Sequence, residues 1–502
     1  MVGVCSISAS ALLMMVFTAF GHEPATDSAT AKELVPPATR ELTLPQCLDE
    51  ALQNNHRRPA SRFAVAIAEA QHRQALAGYW PQIGGKAGYE RMDESPDFLF
   101  PATQTQIPAG SAVITVPAGV LGPNPVQLPV STPAQTIQVP AQDVKLMDPD
   151  NFTTSLNATW LLYDGGMRKG LGEQTAGLVD AMKQDARRTD LEITDSVKRL
   201  YYGAVLARQL HQVGDDTLAR MEATLDLTET MYKEGSGKVM KTDWLDNKVM
   251  VETLRSIVAL LEKNDAMAKA ALANTMGLPW NADIKPADQE ISFVPFVGNL
   301  DDMVSTAYEF NPDWNKVEAG IRAAEGAVRT AKSDYYPKLA VTGEIHRWWN
   351  DYSAGVATDR NKEGWTVGVG VEVPIFSGFL TRNKVAETRA RVAKIKQEQF
   401  LLKDGIGLQI KDAFLSLAAA QKSYQATLDA MSAATENRDL NTRGYQNGLV
   451  ETEKVIRAQL TEALMSAQHF KACYDHVALQ SQIELLVGSE LLKRLQPTPR
   501  ME

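Results

Sequence analysis

Two segments of the chain alternate apolar and polar residues with a period of two. Across 152–162, Phe152, Leu156, Ala158, Trp160 and Leu162 share a face with Thr154, while Thr153, Ser155, Asn157 and Thr159 share the other. Trp365, Val367, Val369, Val371 and Val373 alternate in the same way with Thr366, Gly368, Gly370 and Glu372. Side chains of a strand point to its two faces in turn, so both segments read as strands with one apolar face. Weaker versions follow Pro81 and Pro337, giving four expected strands at about 82–90, 152–163, 338–349 and 365–376.

After each strong strand the period changes. No proline occurs between Asp150 and Leu278 or between Ile375 and Gln496, and apolar residues recur at steps of three and four. Ile193, Val197, Leu200 and Ala204 form one such seam; Phe414, Leu417, Tyr424, Leu428 and Met431 form the other, with Gln421 in one position. These are coiled-coil-like helices. Gly-bearing turns at Lys233–Gly237 and Gln446–Leu449 fold each back, which predicts long helical hairpins over 166–276 and 379–487.

The two halves repeat each other. A shift of 256 residues aligns Leu44–Pro81 with Leu300–Pro337, matching Ala51 with Ala307, Asn55 with Asn311 and Tyr79 with Tyr335. A shift of 213 aligns Phe152 with Trp365, Gly165 with Gly378, Tyr232 with Tyr445 and Gly235 with Gly448. The 43-residue difference places an insertion in the first half, between the two strands. That insertion, 91–150, carries ten prolines and is expected to be an exposed loop, because proline at this density removes helix and ladder donors. The repeats therefore run over 42–278 and 300–488, with linkers at 22–41 and 279–299 and a tail at 489–502.

Residues 1–21 are uncharged, contain the apolar run Ala11–Phe20 and read as a signal peptide. Its run is too short for a membrane helix, and no later segment is long and apolar enough either. A chain of this pattern crosses a membrane only as a β-barrel. Four strands cannot close one, since single-chain barrels begin at about eight. Three copies bring twelve strands and twelve helical segments, and every edge closes. Composition agrees with a partner other than nucleic acid: the net charge is −10 and no Lys/Arg run occurs.

The order of elements, Tyr79-Trp80-Pro81 and Tyr335-Tyr336-Pro337 before the first strands, Phe376-Ser377-Gly378 between strand and helix, and the turn from Tyr445 through Gly448 to Leu449 resemble the TolC-like outer-membrane efflux family. The resemblance implies a mainly α protein with a membrane β-barrel. Its homotrimer would form a 12-stranded barrel in the outer membrane of a Gram-negative bacterium and a periplasmic α-helical tunnel. Its partners would be a periplasmic adaptor and an inner-membrane pump of RND or ABC type, in efflux or type I secretion.

On that basis Tyr232, Gly235, Tyr445, Gly448 and Leu449 are expected at an adaptor-docking tip. Asp243, Asp246, Glu451, Glu453, Lys454 and Arg457 are expected to gate the tunnel entrance, with Lys454 and Arg457 standing where the family often has acids. Phe152, Leu156, Trp160, Trp365, Val367, Val369 and Val371 are expected to face outer-membrane lipid.

No enzyme activity or cofactor is expected: the seven histidines are scattered and no metal-ligand or Walker spacing occurs. His469, Cys473 and His476 share one helix face, which reads as packing rather than a metal site. The competing architecture is a soluble periplasmic adaptor or scaffold, which has no need of four alternating strands.

Overall fold

The computed structural model describes residues 40–118, 123–235, 237, 239–349 and 362–488. The expected signal peptide, nearly all of the 22–41 linker and the 489–502 tail lie outside the described residues.

Strand β1 (Arg40–Leu42) leads into helices α1 (Leu44–Asn54) and α2 (Arg57–Ala77). Strand β2 (Gln82–Arg91) then enters the insertion, which contains β3 (Asp97–Phe100), β4 (Thr103–Ile107), β5 (Gly110–Val116), β6 (Val126–Thr132), β7 (Gln135–Val139) and β8 (Gln142–Lys145). Strand β9 (Asp150–Tyr163) returns to α3 (Met167–Lys233) and α4 (Lys241–Thr275). After β10 (Ile284–Pro286) the second half repeats the order as α5 (Leu300–Phe310), α6 (Pro312–Ser333), β11 (Lys338–Trp349), β12 (Glu363–Glu372), α7 (Leu380–Gln446) and α8 (Thr452–Val487). Helices α3 and α7 each run for 67 residues, roughly 100 Å at 1.5 Å per residue.

The duplication is spatial as well as sequential. Cys47 and Ala51 of α1 pack with Ile193, Val197 and Tyr201 of α3 in one core cluster. Their repeat counterparts Met303, Ala307, Ile406 and Ile410, with Phe414 beside them, form a second. The matched asparagines show why this residue recurs. Asn311 accepts from the backbone N–H groups of Asp313 and Trp314 and so caps α6, while its amide donates to Leu486 O (2.8 Å) at the end of α8. Asn55 likewise accepts from Arg57 N and donates to Thr275 O (2.7 Å).

Strands β12, β11, β9 and β2 form one antiparallel sheet in that order, leaving β12 and β2 as open edges. The register gathers the expected apolar positions on one face. Leu156 lies opposite Ile345, and Ile345 opposite Trp365; Trp160, Val341 and Val369 form another cross-strand row; Phe152 pairs with Trp349 and Tyr89. Val367 and Val371 continue the same face. The other face carries Lys86, Thr153, Ser155, Asn157, Thr342, Glu344 and Thr366. A register shift at Leu339/Ala340 displaces Leu162 from the simple alternation, a bulge at the end of β9.

The insertion differs from the expected irregular loop. Strands β3, β4 and β5 pair antiparallel with β8, β7 and β6 and make a long two-stranded ribbon. Its prolines are placed across from one another: Pro101 and Pro140 fall in the first gap between paired segments, Pro108 and Pro133 in the second. The lost donors coincide there and the ladder between the gaps survives. Pro129 lies inside β6 opposite Val113, where a ribbon strand with a single neighbour can leave one N–H position unused.

Sheet and helices meet at a buried ion pair. Asp164 accepts from Arg168 Nε (2.7 Å) and from the backbone N–H groups of Gly166 and Arg168. The guanidinium also donates to Gly78 O and Leu162 O. The repeat counterpart is a hydroxyl pair, Ser377 with Thr381 at 3.1 Å. Burial alone would raise the Asp164 pKa, but the backbone donors and the guanidinium of Arg168 outweigh it, and the carboxyl sits below its ordinary value. Its stabilisation is therefore present above about pH 3.9, the unfolded carboxyl value, and lost as pH falls through the lower folded one. Asp164→Ala strands a buried cation and is expected to cost about 3 kcal/mol, read as an earlier thermal transition at neutral pH.

Candidate channel entrance

The last turns of α3 and α7 meet, with Thr228 Oγ1 against the Tyr445 hydroxyl, so the two hairpin turns lie at one tip. Gly448 (φ +70°) closes α7 in a Schellman turn: Leu449 N donates to Gly444 O (2.8 Å) and Gly448 N to Tyr445 O (2.9 Å). The left-handed backbone requires glycine there. Gly235 (φ +65°) takes the same left-handed backbone after α3, with Gly235 N donating to Tyr232 O. Leu449 is 82% exposed at this tip.

Tyr445 does not lie on the surface. It is 4% exposed, in contrast to the expected docking position, and its hydroxyl sits between the two hairpins at 2.7 Å from Thr228 Oγ1 and 3.2 Å from Thr452 Oγ1. Asn247 Nδ2 donates to Thr228 Oγ1 (3.3 Å), and one turn further Gln459 Nε2 donates to Thr224 Oγ1 (3.0 Å). A ring with one polar tip suits a gap of this kind, apolar around the ring and wet at its end. Tyr232, its repeat counterpart, stacks instead on Trp244 of α4, with ring centroids 5.8 Å apart.

Beyond this ladder an ionic cluster joins α3, α7 and α8. Glu462, 9% exposed, binds Arg220 Nη2 at 2.9 Å and Arg438 Nη1 at 3.1 Å, and Arg438 also pairs with Asp439. None of these four was singled out from the sequence. A charged residue on the inner face of a helix seam was the available signal.

Four of the six expected gate residues, Asp243, Asp246, Glu453 and Arg457, meet with Val249 and Ile456 in a groove of about 510 Å³ between α4 and α8; Glu451 and Lys454 do not line it. Lys454 pairs with Glu451 (3.6 Å), the residue before α8, and Arg457 with Glu453 within α8, and both pairs are exposed. Of these ion pairs it is Arg220 with Glu462 that bridges the two hairpins, not those of Lys454 or Arg457, and Arg438 holds Glu462 from within its own hairpin. Asp243 accepts from Met240 N (2.9 Å) and caps α4. Asp246 makes no ion pair among the described residues, so the groove keeps two uncompensated carboxylates.

His469, Cys473 and His476 are buried. His469 Nε2 lies 3.7 Å from Cys473 Sγ, and His476 Nε2 bonds Val294 O at 2.9 Å, so the two imidazoles engage different neighbours. Phe293 stacks on Tyr424, and the pair lies between the two histidines, Phe293 against His476 and Tyr424 against His469. Burial lowers both histidine pKa values. Cys47 and Cys473 are free thiols in one apolar cluster, each pushed up to about 11 by burial.

Tyr445→Phe leaves Thr228 and Thr452 without their shared partner. It is expected to loosen the tip by about 1–2 kcal/mol, read as faster amide hydrogen exchange at the ends of α3 and α7.

The profile of the family described as outer membrane efflux protein matches residues 138–278 and 303–489. The chain is 23% identical over 286 residues to the cation efflux system protein CusC of Escherichia coli K12, covering 56% of this chain and 59% of that one. It is 21% identical over 366 residues to the outer membrane efflux protein BepC of Brucella suis, covering 70% and 72%. The matched part thus spans about three-fifths of CusC. Among solved structures, a membrane protein from Pseudomonas aeruginosa superposes with a TM-score of 0.69 at 16% identity, over 91% of this chain and 99% of that one. VceC of Vibrio cholerae gives 0.67 at 16% identity, over 89% and 96%. With the four-stranded sheet, the paired 67-residue helices and the family match in agreement, this chain belongs to the outer membrane efflux protein family.

Proposed function

We propose that the chain is one protomer of a homotrimeric channel-tunnel of the outer membrane. It passes substrate from an inner-membrane pump of RND or ABC type and a periplasmic adaptor to the exterior. The observation that carries this reading is a neighbour present in one half and missing in the other. Helix α6 packs against both α3 and α7, whereas its counterpart α2 packs against α3 alone. Ala319 and Ala323 of α6 lie against Gly177 of α3; the corresponding Phe63 and Ile67 of α2 are 67% and 60% exposed. Helix α8 likewise packs on α7 and α3, while α4 packs mainly on α3 and exposes Leu245, Val249, Ile257 and Leu260.

The absent partner in both cases is an α7 from another copy. Such a head-to-tail contact either closes a ring or grows a filament. Two quasi-equivalent units per chain close at three chains when each unit turns the wall by one sixth. The same step brings β2 of one protomer beside β12 of the next, antiparallel, and satisfies edges whose exposure in lipid costs several kcal/mol per group. Phe152, Leu156, Trp160, Trp365, Val367, Val369 and Val371 then face lipid, and the Thr- and Gly-rich face lines the pore.

The tip holds the closed state through the Tyr445 ladder and the Glu462 cluster, and adaptor engagement opens it by binding the separated hairpins more tightly. Leu449, Gly448, Gly235 and the Tyr232–Trp244 stack are the docking surface; Tyr445 acts as the latch behind it. Two free carboxylates per protomer make the entrance favour cations. Asp243→Asn with Asp246→Asn is expected to lower the cation-to-anion permeability ratio severalfold in a planar bilayer. A ratio unchanged by the double substitution would remove these residues from the permeation path. Recovery of the wild-type protein as a soluble monomer would sink the channel reading itself.

A further inference from the structure

The ribbon of the insertion has a composition unlike the rest of the chain. From Phe98 to Gln142 there is no Asp, Glu, Lys, Arg or His. Its apolar residues gather in patches between the proline joints. Near the far end, Ala112 pairs with Val130, Ile114 with Leu128 and Val116 with Val126, all on one face. Ile114 is 54% exposed and Leu128 43%. The substantial packing of each ribbon strand is with its partner strand, so the rest of the chain does not cover this patch. An uncharged, β-branched, exposed ribbon is an aggregation hazard unless something occupies it, and an isolated two-stranded ribbon of this kind is marginal in water.

The place of the ribbon identifies the occupant. It continues β2 and β9 outward through the rungs Met92 N to Pro149 O and Leu146 N to Pro96 O, both 2.8 Å. It therefore leaves the sheet at the open β2 edge, the seam between protomers. Only the first repeat carries it, so a trimer has three. The first arm runs from Asp97 to Val116, roughly 65 Å at about 3.3 Å per residue. A twelve-stranded wall with strands about 4.8 Å apart and tilted about 40° has a radius of roughly 12 Å. Arms this long, rooted this close to one axis and carrying no charge to repel each other, lie within reach of one another. Lipid phosphates are poor occupants, because 98–142 offers no cation to them.

We propose that the three arms pack on one another through the Ile114–Leu128 patch and form a threefold apolar constriction outside the barrel mouth. This rests on the trimeric channel reading, and the test separates the two. Cys47 and Cys473 are buried and Cys5 lies in the expected signal peptide, so Ile114→Cys in the mature protein, with Cys5→Ser wherever that residue is retained, supplies one accessible thiol per chain. Identical residues meet each other only near the axis. Mild oxidation of the intact trimer is expected to link the chains in pairs, up to about two-thirds of them, since one thiol per chain can join only two of three. In a second measurement, Leu128→Asp is expected to separate the arms and raise single-channel conductance at least about twofold, with Leu128→Ile unchanged. An intact trimer whose introduced thiols all react with a membrane-impermeant maleimide and never cross-link would overturn the arm contact alone. Absence of a trimer in the wild-type protein would overturn both readings.

Discussion

Charging the outward face of α2 with Phe63→Asp and Ile67→Asp will abolish the trimer while leaving the protomer helical. Both side chains are largely exposed in a single chain, so their replacement removes little from its own packing. In the proposed assembly they take the positions, against a neighbouring protomer, that Ala319 and Ala323 hold against α3 within the chain. Burial of two large apolar side chains is worth about 1.5–3 kcal/mol each, and it is lost at all three seams. Each carboxylate would also have to be desolvated without a partner. The expected readout is loss of the heat-sensitive trimer band on a semi-native gel, with the far-UV circular dichroism of the solubilised protein retained. A trimer of wild-type stability would show that α2 faces solvent and that the seam lies elsewhere.

Replacing Gly326 with valine is expected to do the opposite, breaking the protomer from within. A Cβ at Gly326 would lie 2.6 Å from Gln174 N and 2.7 Å from Gly170 O, both backbone atoms that cannot rotate away. Gly170 and Gly177 of α3 meet the backbone of α6 at similar distances. The two helices must move apart along this contact, and the α3–α6 packing loosens over several turns. Overpacking in a dense core costs about 1–3 kcal/mol when side chains yield, and backbone contact places this substitution at or above the upper end. The mature protein is expected to be degraded or to lose its protease-resistant helical core. Gly320→Ala, where a Cβ meets nothing within 4 Å, serves as the matched control.

Much of this architecture is legible in residue patterns. Asn55 and Asn311 match in the repeat because each must cap the next helix and reach the end of a hairpin, a task few side chains can perform. The valines from Val367 to Val371 announce one apolar face because a strand has no other way to present them. The ribbon was not legible. Proline counts as a breaker when strands are read singly, and only the pairing places Pro101 near Pro140 and Pro108 near Pro133. Tyr232 and Tyr445 look equivalent in sequence but differ in environment. Tyr445 meets Thr228 of the other hairpin, while Tyr232 stacks on Trp244 of its own; in the proposed trimer the neighbour corresponding to that second hairpin belongs to another protomer. Glu462 was not legible because local periodicity treats a charge on a seam as a fault, and its partner Arg220 comes from the other half of the chain.

In the proposed assembly two unequal halves per chain close a ring at three chains. Native mass spectrometry of the full-length protein released from detergent tests it most directly. The expected result is a single dominant species with three times the mass of the denatured chain. A dominant species of one, two or four chains would contradict it.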